Sequence, residues 1–67
     1  MTNLVIDAAS DKIFFSIIKD SKSYTTEHSN SRENFDKIVK LLNKFLSEKN
    51  TNINQIKKIY INKGPGK

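Results

Sequence analysis

The stretch SRENFDKIVKLLNKFLSEK, residues 31–49, carries the strongest structural signal in this sequence. Its apolar residues recur at the three- and four-residue spacing of an α-helix. They are Phe35, Ile38, Val39, Leu41, Leu42, Phe45 and Leu46. Asn30 followed by Glu33 resembles a capping box, and Ser29 and Ser31 are alternative caps. The spacing predicts one long helix over about 31–49 whose remaining positions face water.

The apolar stripe of this predicted helix is wider than packing on one sheet requires. At 100° per residue it covers an arc of about 160°, from Leu41 on one flank to Val39 on the other, whereas a helix on one sheet needs an arc of about 100°. The excess indicates that a second helix or a partner packs against a flank of this helix.

Three strand-like segments precede the helix. Residues 4–8 and 12–19 are rich in β-branched and aromatic side chains, and 12–19 is apolar on both faces, as in the middle of a sheet. Residues 24–27 are more polar and suit a sheet edge. Because only short turns separate these segments, the sequence predicts an antiparallel meander.

A fourth strand is predicted after the helix, at residues 58–62. Ile53 and Ile56 bracket a loose helical turn that is expected to lay both isoleucines onto the end of the sheet. A helix that joins two strands usually forms a right-handed crossover, so the last strand is expected to lie parallel to the first. The order βββαβ predicts an α/β fold with a mixed sheet. The last strand is apolar yet would be an open edge, so we expect a truncated domain.

Composition narrows the function classes. The 67 residues are 36% hydrophobic and 28% charged, as expected of a small soluble globular piece. With no cysteine and one histidine, we expect neither a disulfide framework nor a metal site. The N-terminus does not resemble a signal peptide and no apolar run is long enough to span a membrane. We therefore expect a cytoplasmic protein without a membrane partner.

The net charge of +5 raises the question of nucleic-acid binding. Eleven of the 12 basic residues are lysines dispersed along the chain, and Arg32 is the one arginine. Arginine is the main residue that reads bases, so its scarcity disfavours sequence-specific recognition. A small basic nucleic-acid-binding domain stays open as an alternative.

Four features occur in one order along the chain. They are LVIDAAS at 4–10, the step His28-Ser29 into the helix, the turn marked by Ile53 and Ile56, and IYINKGPG at 59–66. Together they resemble the N-terminal part of the TsaB (YeaZ) family. That family is the non-catalytic partner of the threonylcarbamoyl transferase TsaD, which makes threonylcarbamoyladenosine (t6A) on tRNA. The resemblance covers essentially the whole chain, but only about the first third of a family member.

The resemblance implies a fold and a role. The family belongs to the actin-like and sugar-kinase-like ATPase superfamily, so residues 1–67 would be a partial N-terminal lobe of RNase H-like topology, in a Gcp-like domain whose remainder is missing. The chain would be a scaffold without catalytic residues or cofactor. It would bind a TsaD-like protein, and through it TsaE and tRNA, and a homodimer is a further expectation. Where family members continue with serine after Gly-Pro-Gly, this chain has Lys67.

The resemblance also implies a few site residues. Gly64, Pro65 and Gly66 form the family's loop motif. Asp7, at the end of the first strand, occupies a vestigial phosphate-side position, with a plain turn residue as the competing interpretation. The partner interface is expected on the predicted helix, at Val39, Leu41, Lys37 and Lys44.

A second alternative is an enzyme, namely the first lobe of TsaD itself or of another actin-like ATPase. TsaD shares a Gly-Pro-Gly after the corresponding strand. Its first turn tends to contain a cysteine, whereas residues 8–11 here read AASD, which disfavours this alternative.

Overall fold

Four strands form one mixed sheet in the computed structural model, which describes residues 1–62 of the chain. The strands are β1 (Thr2–Asp7), β2 (Lys12–Lys19), β3 (Lys22–Ser29) and β4 (Ile56–Asn62). In space their order is β3-β2-β1-β4. The first three form an antiparallel meander, and β4 lies parallel to β1. The predicted strand order and directions are therefore confirmed.

The two outer strands are longer than the sequence pattern suggested. β3 begins at Lys22 because it pairs with β2 over the full length of that strand, from the pair Lys19 and Lys22 to the pair Lys12 and Ser29. A two-residue turn joins these strands, and Asp20 adopts a left-handed conformation there with φ of 56°, which aspartate tolerates better than most residues.

The predicted long helix is interrupted at Lys37, where the prediction of one continuous helix was wrong. A short helix α1 (Arg32–Asp36) precedes the main helix α2 (Ile38–Glu48). Lys37 leaves helical geometry with φ of −115° and ψ of 27°. The side-chain amide of Asn34 donates to the carbonyl oxygen of Ser29 at 2.9 Å, which ties α1 to the end of β3. α1 is held at the end of β3, whereas α2 packs on the sheet. The bend at Lys37 allows both contacts to form.

The cap of α1 is Ser31, one of the alternatives that the sequence left open. Its hydroxyl accepts a hydrogen bond from the backbone N–H of Asn34 at 3.2 Å. Asn30 has a different role: its side-chain amide donates to the carbonyl oxygens of Ser10, at 2.8 Å, and Ala8, at 3.2 Å. The chain that leaves β3 is thereby fastened to the turn between β1 and β2.

The core lies between α2 and the middle of the sheet. Leu4 of β1 and three residues of β2 are fully buried, and Phe45 and Leu46 of α2 cover them. The β2 residues are Ile13, Phe15 and Ile17. The rings of Phe15 and Phe45 stack with centroids 6.2 Å apart. The buried residues of β1 and β2 lie on one face of the sheet and pack against α2, so the helix lies over these two strands.

The connection from α2 to β4 begins with a left-handed residue. Asn50 has φ of 52°, and the N–H of Thr51 donates to the carbonyl oxygen of Leu46 at 2.9 Å, as in a Schellman turn. The predicted loose helical turn follows as a 3₁₀ turn at Ile53–Gln55. Ile56 packs against the core, but Ile53 is exposed, so the expectation that both isoleucines lie on the sheet was wrong for Ile53.

Within residues 1–62, none of the helices has the length and apolar character needed to cross a membrane.

Candidate protein-binding surface

One flank of α2 faces β3. Lys37, Leu41 and Lys44 are spaced so that they share this side of the helix. Leu41 and Lys44 border a cleft of about 180 Å³ whose opposite wall includes His28 of β3. Leu41 is half-buried there and packs against the core, whereas the ammonium of Lys37 lies 3.5 Å from the carboxylate of Glu33. The sheet therefore already covers part of the flank of α2 that faces β3.

The other flank of α2 faces away from β3. Val39 lies about 160° around the helix from Leu41 and is 67% exposed. On the same side, Leu46 borders a surface depression together with Ile53, in the turn that leads into β4. The interface residues predicted from the sequence thus divide between two flanks, and Val39 is the one on the open side.

The helix-side face of β4 is uncovered. Ile59 and Ile61 lie opposite Leu4 and Ile6 of β1 in the parallel ladder, which places their side chains on the same face as the core. Nevertheless Ile59 is 51% exposed and Ile61 is 62% exposed. The reason is that α2 lies over β1 and β2, so no described element extends over β4.

Together these residues define an apolar strip, consisting of Val39, Ile53, Ile59 and Ile61. All four are large aliphatic side chains with at least half of their surface in water. Exposed aliphatic groups gathered on one side of a small domain are typical of a protein-binding surface. Such a surface binds by burial of apolar area and is suited to a partner that presents its own apolar helix or strand.

The sequence prediction of the interface did not include Ile53, Ile59 or Ile61. A signal was present, since the last strand is rich in isoleucine although one helix cannot cover both that strand and β2. Phe35 is also exposed, because the bend at Lys37 removes it from the stripe of α2.

Asp7 stands at the end of β1 and participates in a local turn. Its carboxylate accepts a hydrogen bond from the backbone N–H of Ala9 at 3.1 Å. The interpretation of Asp7 as a phosphate-side position stays a prediction. The loop motif Gly64, Pro65 and Gly66 lies outside the described residues. In the part of the chain that the structure describes, no three side chains of histidine, cysteine, aspartate or glutamate cluster in a way that could hold a metal ion.

The fold has relatives among solved structures. The chain superposes over 98% of its length on YeaZ from Pseudomonas aeruginosa, with a TM-score of 0.83 and 15% sequence identity. A second match has the same TM-score, identity and coverage, and is described as an uncharacterized protein with similarity to peptidase YeaZ from Pseudomonas aeruginosa. This chain covers 31% of each of those chains. At this identity the likeness is one of fold, and it confirms the predicted α/β architecture.

No protein-family model matches the sequence. No curated protein matches it either.

Proposed function

We propose that this chain is the N-terminal part of a TsaB-like scaffold, which supports a TsaD-like protein in the t6A modification of tRNA. Residues 1–67 would belong to the first lobe of a Gcp-like domain. The catalytic chemistry would lie in the TsaD-like partner, and TsaE and tRNA would associate through that partner. The site of action would be the cytoplasm.

The observation that carries this proposal is the fold likeness to YeaZ over 98% of the chain. It agrees with the four sequence features that resemble the TsaB family and that occur in one order along the chain. A likeness of fold is compatible with many functions, so the motifs and the surface are needed as independent support. The chain spans about a third of the solved YeaZ structures, and the role proposed is that of the longer protein.

The open flank of α2 supports a scaffolding role. Val39 and the rest of the apolar strip expose aliphatic surface beside the helix, and in the TsaB family the first helices of this lobe contribute to packing with TsaD. A helix of the partner laid against Val39 would bury this surface. The lysines of α2, among them Lys40 and Lys44, would border the contact and supply charges near tRNA phosphates.

The direct test is binding to the TsaD-like protein encoded in the same genome. We expect the 67-residue chain to co-purify with it, and Val39→Asp to weaken the affinity by about tenfold or more because a carboxylate would be buried without a partner. Val39 is better suited to this test than Leu41, since its exposure makes an effect on folding small.

Ser23→Asp provides the matched control, because Ser23 is exposed on β3 at the opposite edge of the sheet and the substitution adds the same charge. Circular dichroism confirms that both variants remain folded. Failure of the unmodified chain to bind TsaD, or equal weakening by both variants, would contradict the proposal. Peptide hydrolysis by the purified chain would contradict its non-catalytic part.

A further inference from the structure

We propose that this chain binds the backbone phosphates of a nucleic acid at a lysine cluster formed by Lys19, Lys22 and Lys49. The cluster lies at the end of the sheet where β1 and β4 begin, around the turn that joins β2 to β3. Phosphate binding at this cluster does not depend on the function proposed above, which uses the open flank of α2.

The three lysines of the cluster come from two strands and a helix. Lys19 ends β2 and Lys22 begins β3, and these two residues lie directly opposite each other in the antiparallel ladder. Lys49 follows α2, and its ammonium lies 5.3 Å from the centre of the Tyr24 ring. Because Tyr24 is two residues after Lys22 in β3, both side chains lie on the face that α2 covers. All three lysine charges are therefore on one side of the sheet.

The opposed pair of Lys19 and Lys22 is unfavourable for folding. Like charges directly opposite each other in an antiparallel pair are destabilising. Within residues 1–62, neither lysine has a carboxylate at ion-pairing distance, whereas Lys12 in the same sheet pairs with Glu27 at 3.3 Å. Locally unfavourable arrangements occur chiefly at functional sites, and two unneutralised cations side by side suit an anion.

Two carboxylates near the cluster each have another cation beside them. The carboxylate of Asp20, in the turn, lies 3.4 Å from the N-terminal ammonium of Met1. Glu48, which precedes Lys49, borders the cleft beside β3 together with Lys44 of the preceding helical turn. The electrostatic field at the cluster is therefore positive.

An open cleft of about 360 Å³ lies beside the turn and is lined by Lys19, Asp20, Ser21, Lys22 and Tyr24. This volume is within the range of small-ligand sites, about 300–1,000 Å³. The hydroxyls of Ser21 and Tyr24 can donate hydrogen bonds to phosphate oxygens. None of the five lining residues is aliphatic, and the Tyr24 ring packs against the core, so the cleft has no apolar anchor for a peptide side chain.

Lysine ammonium groups at the surface favour a polymer of phosphates over a single phosphate. A solvated ammonium binds one anion weakly, because both groups are strongly hydrated. A nucleic acid presents many phosphates together, and each lysine that contacts one releases a condensed counterion, which adds to the affinity. Such contacts do not read bases, so they do not require the arginines that this sequence lacks.

The first experiment measures the affinity of the 67-residue chain for a fluorescently labelled RNA hairpin by fluorescence anisotropy at several salt concentrations. We expect a Kd of about 1–100 µM at physiological salt, and a binding constant that falls steeply as salt is added. The double variant Lys19→Gln with Lys22→Gln should bind at least about tenfold more weakly. It should also reduce the slope of log K against log salt by about 2, because two phosphate contacts are lost.

The matched control removes two positive charges at the opposite end of the sheet, by Lys12→Gln with Arg32→Gln. Lys12 and Lys19 are separated by the length of β2, about 23 Å at about 3.3 Å per residue. That distance exceeds the screening length of about 10 Å at 0.1 M salt. We therefore expect the control to change the affinity for the RNA hairpin by less than about threefold.

The second experiment separates a loss of binding from a loss of folding. Lys22→Glu places a carboxylate opposite Lys19, so it replaces a repulsion by an attraction and should raise the melting temperature measured by circular dichroism. The same variant should bind the RNA hairpin at least about tenfold more weakly. A more stable variant with weaker binding does not owe its loss of affinity to unfolding.

Several outcomes would overturn the proposal. One is an RNA affinity that Lys22→Glu leaves unchanged. Another is equal weakening by the cluster variant and by its control, which would mean that net charge alone attracts the RNA. Binding of sodium triphosphate as tight as that of the RNA hairpin would assign the cluster to a small phosphorylated ligand. Tighter binding of polyglutamate than of RNA would assign it to an acidic polypeptide.

Discussion

The two edge strands of the sheet differ in the exposure of the side chains that point toward α2. On β3, Tyr24, Thr26 and His28 turn toward α2 and are half-buried, and its solvent side is polar. On β4, Ile59 and Ile61 turn toward the same side and stay mostly exposed. The difference shows that one helix of three turns covers two strands and one edge of this four-stranded sheet, and that within residues 1–62 the inward-facing isoleucines of the other edge stay exposed.

Charged contacts reinforce β3. The Lys12 ammonium lies 3.3 Å from the Glu27 carboxylate, and the Lys49 ammonium lies 5.3 Å from the centre of the Tyr24 ring. Polar and charged residues on an edge strand discourage pairing with other chains. β3 therefore has the features of a protected edge, whereas β4 exposes Ile59 and Ile61.

A substitution in the core beneath α2 should have the largest effect on stability. Phe15 is fully buried at the centre of β2 and stacks on Phe45. We expect Phe15→Ala to lower the free energy of unfolding by about 3–5 kcal/mol, which is enough to unfold a domain of this size. Thermal and urea unfolding followed by circular dichroism measure this change. A variant that melts within a few degrees of the unmodified chain would show that the core lies elsewhere.

Matched alanine substitutions in the two edge strands should show directly how much each strand contributes to stability. Tyr24→Ala in β3 removes a half-buried ring that packs against the core and accepts the Lys49 cation, so we expect a loss of about 1–3 kcal/mol. Ile61→Ala in β4 removes a mostly exposed side chain and should cost less than about 1 kcal/mol. Urea unfolding followed by circular dichroism gives both values. Equal losses would contradict the difference between the edges.

The hydrogen bonds that join the end of β3 to the turn between β1 and β2 should contribute somewhat less to the free energy of unfolding. Asn30→Ala removes two side-chain hydrogen bonds to the carbonyl oxygens of Ala8 and Ser10. We expect a loss of about 1–2 kcal/mol, and faster amide exchange at the end of β3. Asn43→Ala on the exposed face of α2 is the control, and it should not lower the stability. Unchanged exchange in β3 would mean that these bonds do not hold the strand.

The ion pair on β3 should contribute least. Glu27→Gln removes the partner of Lys12 at the surface, and we expect a loss of about 0.2–1 kcal/mol that shrinks as salt is added. Glu48→Gln, also exposed, serves as the control and should show no such loss. A loss for Glu27→Gln that does not respond to salt would contradict an electrostatic origin.

Much of the fold could be predicted from the sequence, because the relevant signals are local. Apolar residues on both faces indicated β2 as a central strand, and the helical spacing from Phe35 to Leu46 indicated the helix that contains α2. The interruption at Lys37 was not predicted, because the apolar residues keep their helical spacing on both sides of that position. No glycine or proline marks it in the sequence.

The candidate surface was predicted only in part. Val39 could be identified because the apolar arc of the helix was too wide for one sheet. The sequence pattern did not distinguish the flank of Val39 from the flank of Leu41. Helical periodicity places both residues on one apolar stripe, but it does not indicate which edge of that stripe the sheet covers. That distinction required the position of α2 over β1 and β2.

The sequence by itself determined the element order and the strand directions, because hydrophobic periodicity and short turns act between near neighbours in the chain. Only the tertiary structure decided that the helix is interrupted at Lys37, that Asn30 fastens the first turn, and that α2 lies over β1 and β2 and leaves Ile59 and Ile61 exposed. Those features depend on groups far apart in sequence meeting in space, where the area one helix can cover sets which apolar side chains stay in water.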